Sequence, residues 1–314
     1  MTPIATLEAL LEAARLAGPL RLAVAAAESE TALAAAALAR RRRIADSVLV
    51  GPVEPLRARL RDLGEDPDLY RFEPAATDAE AARRAVALVR GGAAAVILKG
   101  KLPTGDLLRA VLDRTEGLRA GLLSDVLVSD HPVSPKPRLL GMTDGGVNVA
   151  PTLDEKKEIV RNAVRLFRAL GYARPRVACL CAVETVTEAM PHTLEAHALA
   201  EAGARGDLGP CEVAGPLALD NALSPEAARM KGIEHPVAGR ADILLVPTIE
   251  AGNLLGKAFT WLARRSVGHV ILGARAPVLI PSRVESAEDK LASIALGVLA
   301  AARGEPGLAE GRRG

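Results

Sequence analysis

Short apolar runs separated by longer helical segments recur from one end of the chain to the other, and this alternation restricts the fold more than anything else in the sequence. Leu20–Glu28 reads as a strand running into a turn, followed by an Ala-rich helix through Arg43. Ser47–Pro52 reads as a second strand and, after another helix, Ala93–Gly100 as a third. The next helix starts near Thr104, with Leu107, Leu108, Val111 and Leu112 as its buried stripe. Asp125–Pro132 and Arg138–Asp144 read as neighbouring strands, for which an antiparallel pairing is open. After a break at Asp144–Pro151, Thr152 and Glu155 make a capping box for a long amphipathic helix that stops at Gly171. The alternation then restarts. Arg176–Ala182, Cys211–Leu217 and Asp242–Pro247 read as strands, Thr193–Gly203 as a helix, and Ser224 with Pro225 as a helix start.

Strands joined by helical crossovers build a mostly parallel sheet. Two such blocks, split near residue 148, imply two α/β domains with a cleft between them. Residues 1–147 and 271–314 form the first, with a final helix from about Ser286 to Arg303 packing back on it, and residues 148–270 form the second. The tail after Gly304 is rich in Gly and charge and is expected to fray.

At 314 residues the chain is long enough for two such cores. Aromatics make up only 2%, so the cores must be built from Ala, Leu, Val and Ile. A formal charge of +2 and a near absence of stacking residues exclude nucleic acid as a partner class. Arg40–Arg43 reads as the basic end of a helix rather than an anion site. Cys179, Cys181 and Cys211 cannot make a disulfide framework for a chain of this size, and the first two read as small core residues facing one side. His192 and His197 are five apart, off a common helical face, so zinc is not expected. Leu7–Leu22 is interrupted by Glu8, Glu12 and Arg15, which is helix patterning rather than a signal core. With no apolar run of spanning length either, a cytoplasmic protein is expected.

The chemistry gathers late in the chain. Within Gly273–Lys290 (GARAPVLIPSRVESAEDK), Ser282 and Arg283 sit just before an acidic helix start. A hydroxyl, a guanidinium and carboxylates at one strand-to-helix corner suit an anionic, phosphate-bearing substrate and a proton transfer. Ser286 to Asp289 also reads as a plain helix cap, with Glu288 and Asp289 favouring the dipole. The two readings are compatible. Lys99 ends a strand, where α/β sites collect ligands, and Gly100 would let the backbone approach phosphate. Thr104 and Arg109 are candidate substrate contacts: if Thr104 is an N-cap, Arg109 lies a turn and a half inside its helix, able to reach the cleft or merely solvent. Asp144 and Asn148, at the break, are either cleft residues or hinge turns.

Five blocks carry a resemblance. Leu98–Arg119 (LKGKLPTGDLLRAVLDRTEGLR), Thr143–Val164 (TDGGVNVAPTLDEKKEIVRNAV), Gly215–Ser224, Ala241–Phe259 (ADILLVPTIEAGNLLGKAF) and the terminal APVLIPSRVESAEDKLASIALGVL resemble the phosphate acetyl/butyryltransferase family. They fall in order over more than half the chain and look nearer the butyryl branch. The resemblance implies reversible acyl transfer between coenzyme A and inorganic phosphate, with coenzyme A as a substrate and no metal or redox cofactor. It also implies the two-domain α/β/α fold of isocitrate and isopropylmalate dehydrogenases, usually as a homodimer. Longer members carry extra domains that this length would not hold.

By that resemblance Ser282 and Arg283 match the family's phosphate-binding pair. Asp289 matches the base proposed in acetyl members, while the butyryl branch often places its carboxylate at the position of Glu288, so the assignment stays open with Asp289 favoured. Gly252 and Asn253 are read as opening a helix whose amides hold coenzyme A or phosphate, with Lys257 one turn on, or else as ordinary capping. Acetyl members carry an arginine where this chain has Thr260 or Trp261, so either the phosphate or coenzyme A contacts differ there or another cation such as Lys257 or Arg264 substitutes. A free thiol titrates near 8.5 and a carboxyl near 4, so a carboxylate takes the thiol proton uphill by roughly 6 kcal/mol. The base must then be desolvated, or the proton must move as the thiol attacks. Two other readings compete. A dehydrogenase of the related fold would need a nucleotide motif, and neither Gly91-Gly92 nor Gly145-Gly146 has G-x-G-x-x-G spacing. A coenzyme A or acyl phosphate binding protein without chemistry would keep the cleft alone.

Overall fold

A computed structural model of the chain describes residues 2–282 and 285–304. Its elements follow the alternation closely. The first stretch runs α1 (Leu7–Ala17), β1 (Leu20–Ala25), α2 (Glu30–Arg41), β2 (Ala45–Gly51), α3 (Val53–Asp62), β3 (Arg71–Pro74), α4 (Asp78–Arg90), β4 (Val96–Lys99) and α5 (Thr104–Val111). The middle runs β5 (Arg119–Asp130), β6 (Leu139–Thr143), α6 (Leu153–Ala169), β7 (Arg176–Leu180), α7 (Pro191–Ala204) and β8 (Glu212–Leu217). It continues through α8 (Leu219–Leu223), α9 (Pro225–Met230), β9 (Ile243–Leu245) and α10 (Ile249–Lys257). The chain closes with β10 (Val267–Ala274), β11 (Val278–Leu279) and α11 (Ala287–Arg303).

Two compact units result, one of residues 8–121 with 268 onward, the other of residues up to 7 with 122–267. The expected division lay at 147/148 and 270/271. The stretch 122–147 instead packs with the residues that follow it, because β5 and β6 pair antiparallel and β6 pairs parallel with β9. Contacts between residues far apart in sequence, invisible in a linear pattern, decide that membership.

In the unit of residues 8–121 and 268 onward, strands run in the order β3-β2-β1-β4-β11-β10. All pairs are parallel except β10 with β11. β1 and β4 are buried almost throughout, so they read as continuous apolar runs rather than alternating ones. Helix α11 packs against α2, β4 and β11, as the expected return of the last helix requires. Leu107 and Val111 of α5 are fully buried, whereas Leu112 is exposed because the helix ends at Val111 and Leu112 is its C-cap.

In the other unit the order is β5-β6-β9-β7-β8. The Thr152–Glu155 capping box is present on both sides and starts α6, whose Ile159, Val160, Ala163, Leu166 and Phe167 are buried at helical spacing. Phe167 packs edge-on to Tyr172 at 5.1 Å, and the Tyr172 hydroxyl donates to the Ile4 carbonyl while accepting from the Leu139 amide. Cys179 is buried in β7, but Cys181 is half-exposed. The strand stops at Leu180, and with it the alternation that would have buried both.

Gly141, inside β6, faces the Phe167 ring, which a Cβ there would approach to 2.5 Å. Gly141→Ala is expected to destabilise the protein by about 1–3 kcal/mol through overpacking. Urea denaturation should also show partial recovery in Gly141→Ala/Phe167→Leu, since residues in contact couple.

Candidate functional site

The strand-to-helix corner after β11 is built from both sides of Ser282. Its amide donates to Glu285 Oε1 at 2.9 Å, and its carbonyl accepts from Lys290 Nζ at 3.0 Å. Lys290 also donates to the Glu285 carbonyl at 2.6 Å. Ser286 caps α11: its hydroxyl accepts from the Asp289 amide at 3.1 Å and donates to Asp289 Oδ2 at 2.9 Å. The expected cap is therefore real, and Asp289 takes part in it through side chain as well as backbone. Glu288 stands exposed in the same first turn. Arg283 lies outside the described residues.

Glu285 and Lys290 are functional candidates that sequence reasoning missed. Glu285 keeps only 9% of its side chain exposed, and its Oε2 is sealed from solvent without a hydrogen-bond partner. Burial pushes its carboxyl above the usual range, against the pull of His269, whose Nε2 stands 3.8 Å from Oε1, and of the Ser282 amide. Burial likewise pulls the Lys290 ammonium down, offset in part by Glu285 and Asp289. A signal existed: Ser282-x-x-Glu285 has the spacing of a capping box, and the glutamate does take the serine amide.

At the end of β4 the buried Lys99 turns its ammonium onto the Gly100 and Leu102 carbonyls, at 3.3 and 3.2 Å. Gly100 is constrained by the backbone that surrounds it. A Cβ there would collide with the backbone of Ala25 and Ala26, so the close approach is to the turn after β1. Pro103 rather than Thr104 is the N-cap of α5, and Thr104 is its exposed first residue. Arg109 is exposed and pairs with Asp106 at 2.7 Å.

The unit of residues 122–267 brings together Asp144, Asn148 and Gly252. The Asp144 carboxylate accepts the amides of Gly146, Val147 and Asn148 at 2.8–3.2 Å, and the Asn148 side-chain amide at 2.6 Å. Asn148 also donates to the Leu123 carbonyl at 2.8 Å. Both residues thus form one wrapped turn. Gly252 and Asn253 do not open α10. Thr248 is its N-cap, and they are its fourth and fifth residues. Gly252 lets the helix rest on that wrapped turn, since a Cβ would stand 2.6 Å from Gly145 Cα. Asn253 and Lys257 are exposed, and Thr260 lies in a π turn continuing the helix, its hydroxyl on the Gly256 and Lys257 carbonyls.

The mixed α/β fold is shared with solved phosphotransacylases. A branched-chain phosphotransacylase from Enterococcus faecalis V583 has the same fold at a TM-score of 0.77 and 30% identity, covering 89% of this chain and 98% of that one. The family described as phosphate acetyl/butaryl transferase matches residues 70–298. A Bacillus subtilis (strain 168) protein named "Probable phosphate butyryltransferase" is 46% identical over 89% of this chain and 92% of its own length. The chain belongs to the phosphate acetyl/butyryl transferase family, whose members are acyltransferase enzymes. The dehydrogenase-like fold is also present. A 4-hydroxythreonine-4-phosphate dehydrogenase from Klebsiella pneumoniae matches at a TM-score of 0.57 over 90% of this chain and all of that one, and its 15% identity speaks for fold alone.

Asp144 supplies a pH test. Burial, then the neighbouring Asp125, raises its carboxyl above the usual value, against the pull of the three amides and Asn148. A carboxyl raised in the fold contributes stability that is complete below its unfolded pKa, about 3.9, and is lost as pH rises through the folded value. Asp144→Asn removes that loss. The melting temperature of the variant minus that of the wild type should climb as pH rises from about 4 to 7. A difference independent of pH would show that Asp144 is not held this way.

Proposed function

We propose that this enzyme transfers a short acyl group reversibly between coenzyme A and inorganic phosphate, with a butyryl-sized group preferred. The observation that carries the proposal is the Ser282 corner, a hydroxyl held on both sides of its peptide directly before the start of α11. In the thioester-forming direction the coenzyme A sulfur attacks the acyl phosphate carbonyl. The C–S bond forms, the carbonyl electrons move to oxygen, and on their return the C–O bond to phosphate breaks. Ser282 and Arg283 hold the phosphate and neutralise the charge that develops on it. The amide end of α11 adds its partial positive charge.

The thiol proton goes to Asp289, with Glu288 as the competing base. A proton given to a carboxylate before attack would cost roughly 6 kcal/mol, so transfer accompanies C–S bond formation. The chemistry calls on no metal or redox cofactor. The enzyme acts as a cytoplasmic homodimer on small-molecule substrates, without nucleic acid or membrane.

Thioester formation from coenzyme A with acetyl, propionyl and butyryl phosphate, without added metal, tests the reading directly. Turnover with all three is expected, with kcat/KM for butyryl phosphate at least about 10-fold above that for acetyl phosphate. Measurable coenzyme A binding without turnover would overturn it in favour of a binding protein. Arg283→Ala should lower turnover by about 100-fold or more. Asp289→Asn should abolish most activity without loss of fold, because its side-chain oxygen can still accept from Ser286, whereas a large loss confined to Glu288→Gln would move the base to Glu288.

A further inference from the structure

We infer that Glu285 and Lys290 are positioning residues that set the enzyme's affinity for inorganic phosphate by clamping the amide and the carbonyl of Ser282. The inference rests on the reading of Ser282 as a phosphate ligand. Glu285 Oε1 accepts a hydrogen bond from the Ser282 amide, and Lys290 Nζ donates to the Ser282 carbonyl, so Ser282 is held by a buried ionisable side chain on each side. The second donation of Lys290, to the Glu285 carbonyl, closes the loop on itself.

Both side chains are buried, Lys290 with 2% of its surface exposed. Burying two charges costs several kcal/mol each, and a loop that needed only to connect β11 to α11 would have no use for them. Here their hydrogen bonds converge on one residue, on the amide and the carbonyl of Ser282. The frame around them is equally fixed. The His269 amide on β10 donates to Ser293 Oγ on α11 at 2.8 Å, which holds the imidazole beside Glu285. A hydroxyl ligand on a loop must be placed to about 0.5 Å, and an error of 1 Å can cost about 100-fold.

A double-mutant cycle in the phosphorolysis direction separates positioning from general stability. KM for phosphate and KM for butyryl-CoA are measured for Ser282→Ala, Glu285→Ala and the double variant. Glu285→Ala should raise KM for phosphate by about 10-fold, as expected for a lost charge-assisted hydrogen bond, and leave that for butyryl-CoA within about 2-fold. The double variant should be no worse than Ser282→Ala alone, since without the hydroxyl its placement no longer matters. Glu285→Gln, whose amide oxygen still accepts the Ser282 amide, should stay within about 3-fold of wild type. Lys290→Met, which keeps length and apolar bulk, should reproduce the phosphate effect if Glu285→Ala does not fold. Effects that multiply in the double variant, or equal losses for both substrates, would overturn the clamp. An unchanged KM for phosphate in Ser282→Ala would instead overturn the reading of Ser282, and the clamp with it.

Discussion

A charge withdrawn from water must be met by backbone dipoles or by a counter-charge, and this requirement shapes the loops that carry the candidate site residues. Lys99 meets it with the carbonyls of the loop after β4. Asp144 meets it with three consecutive amides that wrap the turn after β6. Lys290 and Glu285 meet it on either side of Ser282. Asp242 follows the same rule, flanked by Arg138 and Arg176 and taking the Arg176 amide. In each case a polar side chain converts an irregular segment into a defined one. Polar contacts thereby fix these loops in a chain whose aromatics amount to 2%.

The same economy appears at the start of α11. Asp289 closes the cap with Ser286 and also carries the proposed proton transfer, and these duties agree physically. A carboxylate three residues into a helix is favoured by the dipole, and in the proposed mechanism the same dipole favours phosphate at the serine just ahead of it. Capping is a reason for Asp289 to be in place before substrate arrives.

Much of the fold was legible because strand and helix impose different periods on apolar residues. The capping box at Thr152–Glu155, the helix start at Ser224-Pro225 and the α11 cap at Ser286 were readable from local chemistry alone, since a cap involves residues within one turn. Gly252 was legible as a special position but not for its reason. Its spacing suggested a helix opening, whereas the backbone contact it permits is with Gly145, over 100 residues earlier. Gly100 likewise faces the turn after β1. Leu112 and Cys181 escaped the expected burial because each lies one residue past the end of its element, where periodicity no longer constrains direction.

The sequence by itself determined the alternation of strands and helices, the local caps and, through its ordered motifs, the family. Each of these depends on residues close together in the chain, or on their order. Tertiary structure alone decided where the chain divides, because β5 pairs with β6 and β6 with β9, far along the chain. It also decided which ionisable groups lose water. Glu285 and Lys290 look like surface charges in a polar stretch, and only packing against β10 and α11 makes them a buried pair around Ser282. Desolvation depends on what surrounds a group in space, and spacing along a chain does not record it.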